Sequence, residues 1–313
     1  MISFRYHLIT IVAIFLALGL GLLAGTTVVD QSLVSNLRNT TEILRSDLRD
    51  QRAEAARYQA QVGAAQEASN ILPVLDPGLL AGVPVVLVAG PELDGAVLSI
   101  TRDALDEARA NLLGVLSLTD RMAAIDETSR RALAKILGAP ADTTPEVLQR
   151  MTAQTLSQRL TSGLPRRGAQ PAQDDVLDQL LTENFLTSPG ITKDDVQAIG
   201  GRDQVVVVLA GGPTVPVVSP DRFLVPLVGD LVARGTSVAA GESTTTSYPF
   251  VETLRADGSP ADGTRMVTVD DLDLSIGGAA LVLGLEHLMF AGQGGNYGVK
   301  GSPTDVRPIP PLT

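Results

Sequence analysis

The chain has 313 residues, a formal net charge of −11, no cysteine and no tryptophan. That charge argues against nucleic acid and anionic membrane surfaces as partners, and the lack of cysteine excludes disulfides, thiolate chemistry, cysteine metal sites and lipid attachment. Six Phe and four Tyr are too few for the two aromatic girdles of a transmembrane β-barrel.

Leu8–Val29 is a run of 22 positions without a charge. At about 1.5 Å per residue it spans roughly 33 Å, enough to cross a hydrocarbon core of about 30 Å. Arg5, His7 and the amino terminus precede it and Asp30 follows, which leaves residues 1–7 in the cytoplasm and the body outside. The chain therefore reads as a single-pass protein of the cell membrane. A cleaved secretory signal is the rival, with a buried soluble helix as a remote third. A signal's apolar core runs to about 7–15 residues and ends in small residues, whereas Leu22-Leu23-Ala24 is a poor cleavage site.

The next segment, 30–72, changes character. Between Gln31 and Ala68 there is no proline, and five Arg balance five acidic residues. A heptad places Val34, Thr41, Leu48, Ala55 and Val62 at a, and Leu37, Leu44, Gln51, Tyr58 and Ala65 at d. The first two heptads carry the pattern best. The expectation is a parallel coiled coil that pairs two copies through residues 31–68 and lifts the body up to about 60 Å off the membrane. The alternative is one amphipathic helix packed on its own domain.

Pro73 and Pro77-Gly78 stop that helix. Val83–Ala89 (VPVVLVA) is an apolar, β-branched run ending at Gly90-Pro91, the signature of a strand buried on both faces of a parallel sheet. A helix is expected from Val97 to Asn111, a strand from Leu113 to Leu118, and broken helix from Arg121 to Leu160. Leu164–Pro171 is the best linker, and a helix should run from Asp174 to Leu186. The order then recurs: strand Gln204–Ala210 ending in Gly211-Gly212-Pro213, a helix from Ser219 to Arg234 that Pro226 should kink or interrupt, and strand Thr236–Ala240. Strands at Val85 and Val205 lie 120 residues apart, and their successors near Gly114 and Ser237 lie 123 apart, which suggests two related halves, 73–163 and 164–300. Ile276–Phe290 reads as a buried helix, too short for a second span. The tail 301–313 holds four prolines and should be extended. The fold class is thus α/β: a transmembrane helix and coiled-coil stalk, then a head with short parallel strands.

The search for chemistry assigns no catalytic and no cofactor-binding residue. Gly90-Pro91-Glu92 and Gly211-Gly212-Pro213 sit where open α/β sheets bind ligands, yet neither has dinucleotide or phosphate-loop spacing. Gly292–Gly298 (GQGGNYG) follows a helix and reads as its cap and a loop. Ser243 with His287 and an aspartate is a triad on paper only, since Ser243 lacks the second glycine of a nucleophile elbow. Asp270-Asp271-Leu272-Asp273 could hold a hard cation, but Asp270 or Asp271 capping the next helix is the simpler expectation. His287 and Met289 are two apart on a helix and do not share a face; Met122, Met151 and Met266 are scattered. Metal ligands remain unassigned.

Taken whole, the chain resembles the actinobacterial MctB family. The residues that carry this are Met1-Ile2-Ser3-Phe4-Arg5-Tyr6-His7, the glycine-punctuated anchor through Gly25, the coiled helix, Val269-Asp270-Asp271-Leu272-Asp273 and Gly295-Asn296-Tyr297-Gly298. The resemblance implies copper transport or homeostasis at the cell envelope, with copper ion as a candidate partner and direct binding left open. In the family pattern a His often stands where this chain has Asn296. The family's outer-membrane label disagrees with the residues, because short all-apolar strands with intervening helices do not build a barrel. SteB-like members imply an alternative role, a non-catalytic coiled-coil scaffold that binds a SteA-like membrane protein in envelope or division control.

Overall fold

The computed structural model describes residues 6–23, 45, 51–52, 78–164, 175–256 and 266–300. Of the expected stalk, only Arg45, Gln51 and Arg52 are described, and they are helical; the rest of 31–68, most of the 164–171 linker and the tail 301–313 lie outside the described residues. The chain divides into two units, 1–62 and 63–313.

In the first unit, α1 (Tyr6–Leu23) is an 18-residue helix, long and apolar enough to cross a membrane. At 1.5 Å per residue it is about 27 Å long, close to the thickness of a hydrocarbon core. Every side chain along it is exposed. Such a helix is costly in water, and lipid is the solvent that suits it.

The second unit is a seven-stranded sheet in the order β3-β2-β1-β4-β5-β6-β7. Its strands are β1 (Pro84–Ala89), β2 (Asn111–Leu118), β3 (Leu186–Thr187), β4 (Val205–Leu209), β5 (Ser237–Gly241), β6 (Met266–Val269) and β7 (Gly295–Tyr297). All neighbours are parallel except β3, which runs antiparallel to β2. The helices are α2 (Gly95–Glu107), α3 (Glu127–Leu137), α4 (Pro145–Ser162), α5 (Val176–Thr182), α6 (Lys193–Ala198), α7 (Leu224–Ala233), α8 (Phe250–Ala256) and α9 (Ser275–Ala291).

Period-two alternation explains the three layers. Val86, Val88, Val206, Val208, Val238 and Ala240 point to one face, where residues of α3 to α8 cover them. Val85, Leu87, Val205, Val207, Ala239 and Val267 point to the other, under α2 and α9. Both faces are buried, so β1 and β4 read as continuous, valine-rich apolar runs. Helix ends follow local chemistry. Asp94, Asp126 and Asp175 accept from Ala96, Ser129 and Leu177 N–H at 2.9, 2.8 and 3.2 Å, and Thr192 with Asp195 forms a capping box on α6. Gly138 and Gly292 close α3 and α9 in the left-handed conformation.

Three expectations are corrected. The helix foreseen from Ser219 is a 3₁₀ turn, Pro220–Arg222, followed by α7 from Leu224. The break falls at Phe223, so Pro226 sits in the first turn of α7, where its missing N–H removes no helical bond. The helix foreseen over 174–186 is only α5, and Leu186-Thr187 instead pairs with β2. Within the glycine-rich stretch read as a loop, Gly295–Tyr297 is a strand beside β6.

The β6–α9–β7 connection has a hand opposite to its neighbours. β1–α2–β2 moves one way across the sheet with α2 on the α9 face, while β4–α7–β5 and β5–α8–β6 move the other way with helices on the opposite face. β6–α9–β7 continues in that second direction but keeps α9 beside α2. Parallel crossovers share one hand in about 98% of cases, so β7 needs particular contacts to stay where it is.

Candidate functional site

Chain order reverses between β1 and β4, and the crevice at such a switch point is where open α/β sheets take ligands. Here the chain's own loops fill it. Gly90 N–H donates to Leu209 O at 2.7 Å and Asp94 N–H to Gly211 O at 3.1 Å. Thr214 Oγ1 donates to Glu92 Oε2 at 2.9 Å, and Ser247 N–H to Gly212 O at 3.0 Å. A Cβ on Gly212 would stand 1.9 Å from Glu92 O, and Glu92 takes φ 60 to bring that carbonyl in. The remaining cavity, lined by Gly90, Gly211, Leu224 and Tyr248 among others, measures about 10 Å³. One water is the most it could hold. Both glycine turns singled out in the sequence therefore meet, and they seal the crevice.

The second constellation lies at the carboxyl ends of β5 and β6. Arg255, from α8, is its hub. Its Nε donates to Thr268 Oγ1 at 2.9 Å, Nη1 to Asp270 Oδ2 at 2.5 Å and Lys300 O at 2.9 Å, and Nη2 to Tyr297 O at 2.8 Å. Asp270 Oδ1 accepts the Val299 and Lys300 N–H groups at 2.6 and 3.0 Å. Gly298, at φ 120, lets the chain turn there, and a Cβ on it would lie 2.2 Å from Asp270 Oδ1. Glu242 Oε1 receives Lys300 Nζ at 3.2 Å and Oε2 receives Val251 N–H at 3.0 Å. Asp273 holds Thr244 through its N–H at 2.6 Å and its hydroxyl at 2.5 Å.

These contacts overturn the capping expectation. The residue before α9 is Leu274, with no side-chain cap, because Asp270 is committed to Arg255 and the segment after β7. Asp271 is 4% exposed with Oδ1 unpartnered. Burial, then the charges of Asp270 and Asp273, push its carboxyl up to about 7. Burial also raises Glu242, against the pull of Lys300. As a hard-cation site the cluster is already spent: both oxygens of Glu242, Asp270 and Asp273 accept protein hydrogen bonds. Among the described residues no group of three or more His, Asp or Glu could hold a metal ion.

Ser243 and His287 are not brought together. Ser243 Oγ donates to Thr245 O at 2.5 Å, at the carboxyl end of the sheet. α9 leads back toward the start of a parallel strand, so His287 lies about 18 Å along it, near the opposite edge. Its two ring nitrogens are buried without a hydrogen-bond partner. Two open clefts lie elsewhere, about 460 Å³ beside β3 and about 400 Å³ between α4 and α7.

Sequence reasoning missed Arg255 and Lys300. They stand 15 and 30 residues from Asp270, and no local spacing links them. The one available signal was that Lys300 is among only three lysines in the chain.

The comparisons with known proteins span the chain. A family model described as copper transport outer membrane protein, MctB, matches residues 1–308. A protein of Mycobacterium leprae (strain TN) named copper transporter MctB is 25% identical over 322 residues, covering 98% of this chain and 99% of its own length. Its namesake in Mycobacterium tuberculosis (strain ATCC 25618 / H37Rv) is 25% identical over 320 residues, covering 95% and 96%. With the model matched from before α1 through the segment after β7, the chain belongs to the MctB family.

Proposed function

We propose that this chain is a membrane-anchored protein of copper transport and homeostasis at the cell envelope, with copper ion as its substrate. The observation that carries this is the copper transport family match over residues 1–308. Relatives named copper transporters align over nearly their whole length. Helix α1 supports an anchor through residues 8–29. The charges of Arg5, His7 and Asp30 favour a cytoplasmic N-terminus and an extracytoplasmic body, and the heptads of 31–68 favour a parallel homodimer.

Among the described residues one helix is long and apolar enough to cross a membrane, a single helix encloses no channel, and the described strands form an open sheet covered by helices instead of a barrel. Copper passage on this account needs an assembly of copies or a partner membrane protein, to which the head contributes a surface. The test is copper tolerance. Cells lacking the chain should change their copper tolerance and regain it with the full chain, but not with a chain lacking residues 8–29. Unchanged tolerance on deletion would contradict the proposal.

A further inference from the structure

We propose that Glu242 and the Ser243 carbonyl form a binding cradle for a primary ammonium group, kept closed by the chain's own Lys300. Lys300 Nζ lies 3.2 Å from Glu242 Oε1 and also donates to Ser243 O. Both acceptors stand at the carboxyl end of β5, the end at which open α/β sheets take ligands. The Glu242 side chain is 0% exposed, and a buried carboxylate requires a compensating charge.

The other neighbouring cation is not available to it. Arg255 directs four of its five N–H groups to Asp270, Thr268, the Tyr297 carbonyl and the Lys300 carbonyl. The lysine instead arrives from the surface, with its side chain 22% exposed. One carboxylate oxygen and one carbonyl oxygen converge on a single nitrogen. That suits a compact ammonium, whereas a planar guanidinium fork needs paired acceptors.

A second observation concerns the charge left over. Glu242, Asp270 and Asp273 outnumber Arg255 and Lys300 by one charge, which favours a cation over a neutral group in the cradle. The strap bearing Lys300 follows β7, the strand placed by the crossover of unusual hand. Tyr297 packs β7 into the core under α9, while the strap beyond it is held by these polar contacts. An incoming primary amine, such as a lysine side chain, would replace Lys300 and free the strap.

Chemical rescue of the full chain in detergent tests this. Lys300→Ala should lower Tm by about 2–4 °C. Propylammonium at ~50 mM, which replaces the deleted atoms, should restore at least half of that, because its N–H groups reach the same two oxygens. Tetramethylammonium at equal ionic strength should not, and neither salt should rescue Lys300→Ala/Glu242→Gln. No recovery, or equal recovery with tetramethylammonium or in the double variant, overturns the proposal. Should Lys300→Ala not fold, the wild-type chain decides. Propylammonium should speed amide exchange at Val299 and Lys300 relative to tetramethylammonium, and unchanged exchange overturns the proposal.

Discussion

The carbonyl oxygen of Glu92 occupies the space a side chain on Gly212 would need, 1.9 Å from its Cβ position. This contact joins the loops after β1 and β4 backbone to backbone across the switch point. A crevice that holds nucleotides in many sheets of this kind is here filled by the chain's own loops.

Gly212→Ala should therefore destabilise the head. Rigid backbone stands in the way, and overpacking of this kind costs about 1–3 kcal/mol. Gly229, in α7, has nothing within 4 Å of its Cβ position, so Gly229→Ala should stabilise by about 0.5–1 kcal/mol. Urea midpoints should move in opposite directions for the two variants; a Gly212→Ala midpoint equal to wild type would contradict the close contact.

Asp271 gives the head a pH dependence of known sign. Its folded carboxyl is raised to about 7 from 3.8, so the native state keeps a proton that the unfolded chain releases. Stability from this group falls as pH rises from about 4 to 7. Asp271→Asn mimics the protonated form and removes the slope. Unfolding free energies of the two proteins from denaturant titration should coincide below about pH 4, with the variant ahead by about 1–4 kcal/mol at pH 8. A difference that stays constant with pH would speak against a buried acid.

Among the described residues Arg159 and Asp175 make the most buried ion pair outside the β5–β6 cluster, at 2.8 and 3.0 Å with both side chains 7% exposed. Arg159 also donates to Ile199 and Val196 carbonyls, tying α4 to α5 and the end of α6. Arg159→Met leaves Asp175 buried and unpaired, at a cost of about 3–5 kcal/mol. Adding Asp175→Asn should recover part of the loss, since an asparagine still caps α5. A double-mutant cycle measures it, and zero coupling would contradict the pair's role.

Removing residues 8–29 should move the protein from the membrane fraction to the soluble fraction and leave the head's Tm unchanged. Retention of the shortened chain at the membrane would show that α1 is not the principal anchor.

How much of this was legible follows from the physics of each element. Val85–Ala89 and Val205–Leu209 announce themselves because strands buried on both faces must be apolar throughout. α9 is legible for the same reason, since Ile276–Leu288 is buried all round. Leu186-Thr187 and Gly295–Tyr297 are two- and three-residue strands whose existence depends on a neighbour already in place; no periodicity can mark them. Phe223, not Pro226, breaks the 220–233 segment, because a proline in a first turn displaces nothing. At the candidate sites, Gly90, Gly211 and Gly212 were visible as strand ends, but their mutual contact is a property of sheet order. Asp270 was visible as a possible cap; its true partners, Arg255 and Lys300, become neighbours only once β6 and β7 lie side by side.

An anchored chain of this family that acts on copper should alter how much copper its cell holds. Cell-associated copper is measured by mass spectrometry in wild-type cells, in cells lacking the chain, and in cells complemented with the full chain or with one lacking residues 8–29. The expected result is a clear difference in copper content between deletion and wild-type cells, abolished by the full chain and retained with the anchorless one. Equal copper content in all four strains across a range of external copper would contradict the account.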